Sequence, residues 1–199
     1  IATIQDIRDL IELAQTEPSS VPQPLHDLCS NEGVVPWWSP TNTSFQPYYY
    51  FCYLYAQKFK PKVWVELGLE LGRCTAFVAH GSPETRCIGV EMLGPDNHHW
   101  QRWLRPLPNV EIVANTKSQD WLRANKGLRV DFAHVDSSHD YEVVIEEWNH
   151  IRPMMTPGSI VCFDDTEAIG VRWVLELIEN EKIETALHGT NGWSIVLMP

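Results

Sequence analysis

Positive charge is scarce in this sequence. Fifteen Lys and Arg stand against 26 Asp and Glu in 199 residues, a formal charge of -11. A chain this acidic repels a phosphate backbone, so no nucleic-acid partner is expected, and a small neutral or cationic ligand suits it better. Long apolar runs are missing too, which argues against a membrane helix and against a membrane partner. The first residues lack the basic-then-apolar pattern of a secretory signal. Cys29, Cys52, Cys74, Cys87 and Cys162 are odd in number and show neither a CxxC nor a Cys/His metal spacing. They are expected as buried small hydrophobes in a reducing, cytoplasmic setting. No repeat, low-complexity tract or second domain is visible, and the oligomeric state is not encoded in any pattern.

What is present is alternation. Ile4, Ile7, Ile11 and Ala14 mark one face of a helix, with Thr3 as its N-cap and Asp6 three residues on. Residues 17–46 form a long stretch rich in Pro, Ser, Thr and Asn around Trp37 and Trp38, expected as a loop that covers a ligand. A second helix is expected over 47–59, opened by Pro47. Apolar strands are then expected at 63–67, 87–91, 110–114, 130–136 and 159–163. Helices are expected between and after them at 70–80, 96–103, 118–124, 141–154 and 168–180. Two last strands, 183–187 and 193–198, flank "HGTNG", whose Asn191-Gly192 is a hairpin signal. This predicts an α/β fold: a Rossmann-like three-layer sandwich with a seven-stranded, mostly parallel sheet and a C-terminal antiparallel β-hairpin. The chain is read as one domain, with residues 1–60 a helical, Pro- and Trp-rich N-terminal extension or cap and 61–199 the core.

In such sheets ligands bind at the carboxyl ends of the strands. The five candidates there end on Glu66-Leu67-Gly68, on Glu91, on Lys117-Ser118-Gln119-Asp120, on Asp136-Ser137-Ser138-His139 and on Asp164-Asp165. Gly68 would let backbone approach a ligand, and Gly72 would let the next helix pack close. Glu91 can accept both hydroxyls of a ribose. Alternatives stay open: an ordinary strand-to-helix turn for the glycines, a helix cap for Ser118 or for Asp164-Asp165, and a surface position for His139.

Glu66-x-Gly68-x-x-x-Gly72, the acidic Glu91 and the terminal hairpin resemble the class I S-adenosylmethionine-dependent methyltransferases over residues 62–199. The resemblance implies that Glu66, Gly68 and Gly72 hold the methionine part of S-adenosylmethionine and Glu91 its ribose. A dinucleotide oxidoreductase would show GxGxxG, which Gly68-Leu69-Glu70 breaks. The stretch 135–165, "VDSSHDYEVVIEEWNHIRPMMTPGSIVCFDD", is similar to metal-dependent small-molecule O-methyltransferases of the sugar and macrolide-tailoring type and to cephalosporin-hydroxylase-like proteins. "KSQD" resembles the adenine loop of catechol-type enzymes, which implies Ser118 and Gln119 beside the adenine. The resemblance further implies that Asp136, Asp164 and Asp165 bind one divalent cation, magnesium by their oxygen-only chemistry. Asp136 would serve both cofactor and catalysis. Sugar O-methyltransferases often carry a second acid where this chain has Ser138, so His139 is the candidate base. The expected partner is a small hydroxylated acceptor. A metal-independent methyltransferase using His139 alone, or a binding domain without methyl transfer, are the rival readings. His98 and His99, beside Trp100, are candidates for the substrate mouth.

Overall fold

The computed structural model describes residues 1–16, 25, 47–94 and 104–199. The loop with Trp37 and Trp38, Cys29, and the expected helix at 96–103 with His98 and His99 lie outside the described residues.

Helix α1, Ile4–Thr16, opens on the expected cap. The Asp6 amide donates to Thr3 Oγ1 at 3.2 Å, and the Thr3 amide donates to Asp6 Oδ2 at 3.0 Å, a reciprocal capping box. Its buried face is Ile7, Leu10 and Ala14. Helix α2 is Pro47–Phe59. The alternating core follows: β1 Val63–Leu67, α3 Arg73–Gly81, β2 Arg86–Val90, β3 Val110–Val113, α4 Ser118–Ala124, β4 Val130–Val135, α5 Tyr141–Ile151, β5 Met155–Asp164, α6 Ile169–Leu177, β6 Lys182–Thr185 and β7 Trp193–Leu197. The seven strands run in the order β3-β2-β1-β4-β5-β7-β6. The first five are parallel, and β7 is antiparallel to both β5 and β6. A mostly parallel sheet with a C-terminal antiparallel hairpin is as expected. Among the described residues no helix is long and apolar enough to cross a membrane.

The period-2 alternation of the strands divides the core into two apolar layers. Trp64, Cys87, Phe132, Cys162 and Ile195 face α1, α2 and α3. Val65, Ile88, Ala133, Val135, Val161, Phe163 and Val196 face α4, α5 and α6. Helices α1 and α2, from the segment expected as a cap, thus share a helical layer with α3. The described cysteines, Cys52, Cys74, Cys87 and Cys162, are free and buried, as expected of small hydrophobes.

The C-terminal hairpin forms as expected, β6 pairing antiparallel with β7. Residues 186–192 link β6 to β7 through a 3-10 turn at Gly189–Asn191, and of the Asn191-Gly192 pair only Gly192 has a positive φ, 76°. One local expectation is corrected: the strand after α5 is twice as long as expected, ten residues from Met155. Its first half carries Pro157 and Gly158, which obscure the strand pattern in the sequence.

One polar thread crosses the apolar layer beneath the carboxyl edge of the sheet. Glu66 on β1 is 2% exposed. Its Oε2 accepts the amide and hydroxyl of Thr75 on α3, and its Oε1 lies 3.2 Å from His134 Nδ1 on β4. The Trp193 indole on β7 donates to His134 Nε2 at 3.2 Å. An indole can only donate, so Nε2 is the acceptor and Nδ1 carries the proton given to Glu66. The Trp64 indole donates to the Thr75 hydroxyl at 2.9 Å. Every donor and acceptor in this thread is committed, and a carboxamide cannot replace the carboxylate: whichever way it turns, its NH2 meets a donor. Glu66→Gln is therefore expected to lower stability by roughly 1–3 kcal/mol, read as a lower urea midpoint with unchanged slope. An unchanged midpoint would contradict the thread.

Candidate active site

The register of the parallel strands aligns their endings. Val135 pairs with Leu67 on one side and Phe163 on the other. The next residues, Gly68, Asp136 and Asp164, therefore stand abreast. On the far side of β1, Gly68 N donates to Val90 O and Glu91 N to Val113 O, both at 2.9 Å, which brings Glu91 into the same row. Three non-glycine residues just beyond strand ends have left-handed backbone, Glu70 (φ 45°), Asn115 (φ 54°) and Asp165 (φ 49°). Such strain collects at sites where it has a use.

The glycines have local reasons. Gly68 has φ 86°, and a Cβ there would lie 2.3 Å from the Asp136 carbonyl oxygen and 2.6 Å from Ser137 Cα. Its close backbone approach is to the end of β4. Gly72 caps α3 in the left-handed region, φ 67°. Glu91 is 7% exposed. Its Oε2 accepts the Leu69 and Glu70 amides at 3.0 and 3.3 Å, and Oε1 the Leu93 amide at 2.9 Å. The acid after β2 thus braces the glycine turn after β1. Glu66 points beneath this turn, into the polar thread.

The three aspartates converge. Ligand atoms within 4.8 Å of one another are offered by His134, Asp136 and Asp164, by Asp136, His139 and Asp165, and by Asp164, Asp165 and His188. Burial first, then the charges of Asp164, Glu66, Asp165 and Glu70, push the Asp136 carboxyl well above the usual carboxylate range. The Glu70 carboxyl faces the same charges and is pushed up to about 6, by burial first and by Asp164 and Asp165, against the pull of Arg73. His139, exposed, sets Nε2 at 2.8 Å from Asp165 Oδ2. The Asp pair does not cap α6 with a side chain. The N-cap is Ala168, whose amide donates to the Asp165 carbonyl.

Ser118 and Gln119 open α4, where Lys117 is the N-cap and makes no side-chain cap. The Ser118 hydroxyl instead donates to Glu147 Oε1 on α5, as does that of Ser137. Ser118 therefore stands beside the residue that follows Asp136. Glu147 is fully buried, and its Oε2 has no hydrogen-bond partner among the described residues.

Glu147, His188 and Tyr48 are the site residues that sequence reasoning missed. Glu147 looks like one more acid on a polar helix face. The signal for His188 was topological: β7 runs antiparallel beside β5 with Trp193 opposite Asp164, so the residues before Trp193 must reach the Asp164 end. His188 Nδ1 lies 2.6 Å from Asp164 Oδ1 and 3.8 Å from Asp165 Oδ1. Burial alone would lower its pKa, but the Asp164 hydrogen bond and the charges of Asp164, Asp165 and Glu70 raise it. The Tyr48 ring packs tilted against His188, with centroids 4.7 Å apart and planes at 45°.

Fold and rim together define an α/β domain whose polar groups gather at the carboxyl ends of β1, β2, β4 and β5. A family model described as a methyltransferase domain matches residues 65–166, a span that contains this rim. The chain belongs to that methyltransferase family. No curated protein matches it in sequence. Among solved structures it is similar to an O-methyltransferase from Bacillus cereus in complex with SAH (TM-score 0.71, 17% identity, 97% of this chain and 100% of that one). It is similar also to the SAH-bound methyltransferase PaMTH1 of Podospora anserina (TM-score 0.71, 13% identity, 100% and 98%). A third is the O-methyltransferase TomG of Streptomyces achromogenes, involved in tomaymycin synthesis, in complex with SAM (TM-score 0.68, 16% identity, 90% and 91%). At these identities the likeness is one of fold.

Glu147 makes a pH prediction. Burial pushes its carboxyl from 4.5 up to about 7, against the two serine hydrogen bonds. A raised acid favours the folded state most below the unfolded pKa. That contribution is lost as pH rises from about 4.5 through 7, by roughly 3 kcal/mol for ~2.5 units. Glu147→Gln cannot titrate, so the stability of the variant relative to the parent should rise between pH 5 and pH 8, by up to that amount. Urea unfolding at both pH values measures it. A difference that does not change with pH would refute the buried titration.

Proposed function

We propose that this protein transfers the methyl group of S-adenosylmethionine to an oxygen of a small hydroxylated molecule, assisted by one divalent cation. The observation that carries the reading is the convergence of Asp136, Asp164 and Asp165 at the ends of adjacent strands, next to the glycine turn. Carboxylates ~4 Å apart repel by ~4 kcal/mol at an effective dielectric of 20, and a cation relieves that repulsion. The donor set suits such an ion: each pair of these aspartates offers ligand atoms within 4.8 Å of one another, in each case together with a histidine.

The roles divide by strand. Gly68 and Gly72 shape the turn that receives the methionine part, with Glu66 holding the turn from below. Glu91 holds the ribose, giving up loop amides to do so, and Ser118 and Gln119 flank the adenine. Bound there, S-adenosylmethionine supplies an electrophilic methyl on a cationic sulfonium, a charge that suits the acidic rim. A cation held by Asp136, Asp164 and Asp165 supplies Lewis acidity that lowers the pKa of a bound hydroxyl. The chain's own task is alignment and proton removal. His139 takes the acceptor's proton at its free nitrogen, while Asp165 holds Nε2 and stabilises the imidazolium that forms. TomG, an O-methyltransferase solved with SAM, and the Bacillus cereus O-methyltransferase, solved with SAH, support the choice of cofactor and of oxygen. Residues 61–199 would carry the chemistry.

Two outcomes are expected. By calorimetry, S-adenosylmethionine binds, and Glu91→Gln weakens it by roughly 1.5–3 kcal/mol, the range for hydrogen bonds to a charged group. Equal affinity would take Glu91 out of the ribose site. In turnover against a panel of catechols, sugars and hydroxylated polyketides, chelator abolishes S-adenosylhomocysteine release and a divalent ion restores it. Asp164→Asn should be inactive with metal present, and His139→Ala should fall by about 10²–10⁴-fold in kcat. Full activity in chelator would remove the metal.

A further inference from the structure

Three aspartates alone make an oxygen-only site, the chemistry of magnesium and calcium. His188 changes the donor set. It does not belong to β5 or to the turn that follows it, yet the fold brings it there by a defined route. Thr166 N donates to Gly192 O at 3.4 Å and Glu167 N to Asn191 O at 2.9 Å, so the connection between β6 and β7 is fastened to the turn that carries Asp165. Gly192 makes this fit possible, since a Cβ there would lie 2.4 Å from Thr166 Oγ1. The ring of Tyr48 then lies 4.7 Å from that of His188, and the side chain of His188 is 19% exposed. The imidazole is thus positioned from both sides, with Nδ1 turned to the carboxylates.

The distances are those of hydrogen-bonded groups gathered near the spacing of a coordination shell. For bonds of ~2.1 Å, neighbouring ligand atoms of an octahedral ion are ~3.0 Å apart and opposite ones ~4.2 Å apart. His188 Nδ1 is 2.6 Å from one Asp164 oxygen and 3.8 Å from one Asp165 oxygen. All three ligand atoms fall within 4.8 Å of one another, and Asp164 also shares a group with Asp136. In the absence of an ion, the imidazole N–H occupies the place of positive charge among these oxygens.

We propose that His188 is a direct nitrogen ligand of the divalent cation, beside Asp136, Asp164 and Asp165, and that this mixed shell selects manganese(II) or iron(II) over magnesium. The inference rests on the reading of a cation at this rim. Imidazole is the softer donor: it binds magnesium poorly and first-row transition ions well, while the carboxylates keep the site suited to the harder members of that row. The β6–β7 connection, read in the sequence only as a hairpin loop, thereby becomes part of the centre.

The test uses the whole chain, stripped by chelator and titrated with manganese(II). Pulsed paramagnetic resonance of bound manganese should show nitrogen-14 modulation from a coordinated imidazole. The modulation should persist in His139→Ala and vanish in His188→Ala and His188→Gln. Manganese affinity, read from the free-ion signal, should drop roughly tenfold or more in both His188 variants, while magnesium affinity by competition moves less than about threefold. Thermal melts of the two variants check that they are folded. Manganese bound by the parent without nitrogen modulation, and unaffected by either His188 variant, overturns the ligand and leaves the cation in place. Modulation lost in His139→Ala instead assigns the nitrogen to His139 and also overturns it. No manganese binding by the parent overturns both this inference and the metal reading beneath it.

Discussion

Glu66 is a carboxylate on an inner strand of the sheet with almost no access to water, and such a group must be compensated where it stands. Thr75 and His134 do so, and Trp193 fixes the tautomer of His134. The thread joins β1, β4, β7 and the first turns of α3 at one level, directly below the strand endings. Its demand is geometric as well as energetic: it holds only when the strands keep the register that puts Gly68, Asp136 and Asp164 side by side. The rim inherits its alignment from a buried polar contact one level below it.

Above that level the balance reverses. The rim gathers carboxylates whose mutual repulsion is not relieved from below. Asp136 responds by holding its proton more tightly, and His188 is drawn in as a compensating group. One layer of the molecule is satisfied and apolar around it, and the next is polar and under electrostatic tension. Sites of chemistry differ from structural polar networks in this respect.

The fold was legible in the sequence because alternating apolar runs and helix formers leave little freedom. All seven strands and the antiparallel placement of the last two were readable from period and spacing. Asp136, Asp164, Asp165 and His139 were readable because they follow strand ends within a few residues. What escaped were the residues whose role depends on register between distant segments. His188 lies 24 residues from Asp164, and only the insertion of β7 between β5 and β6 brings them together. Glu147 is read as a surface acid until α5 turns it toward Ser118 and Ser137. The Asn191-Gly192 pair marked the hairpin, but not the contacts that fasten its connection to Thr166 and Glu167.

The position of β7 also bears on how the chain acquires its shape during synthesis. It is the last of the seven strands to be made, yet it lies inside the sheet, between β5 and β6. Until residue 193 has left the ribosome, β5 has a bare edge, His134 lacks its indole donor, and Thr166 and Glu167 have no connection to grip. Vectorial folding can build β1 to β4 with their helices. β6 and β7, joined by residues 186–192, can pair locally as a hairpin, and the docking of β7 on β5 is then the non-local step, of the kind that is slow. An arrested nascent chain ending short of β7 would expose one long unpaired β5 edge to its neighbours on a polysome, a hazard for aggregation that the finished molecule does not carry.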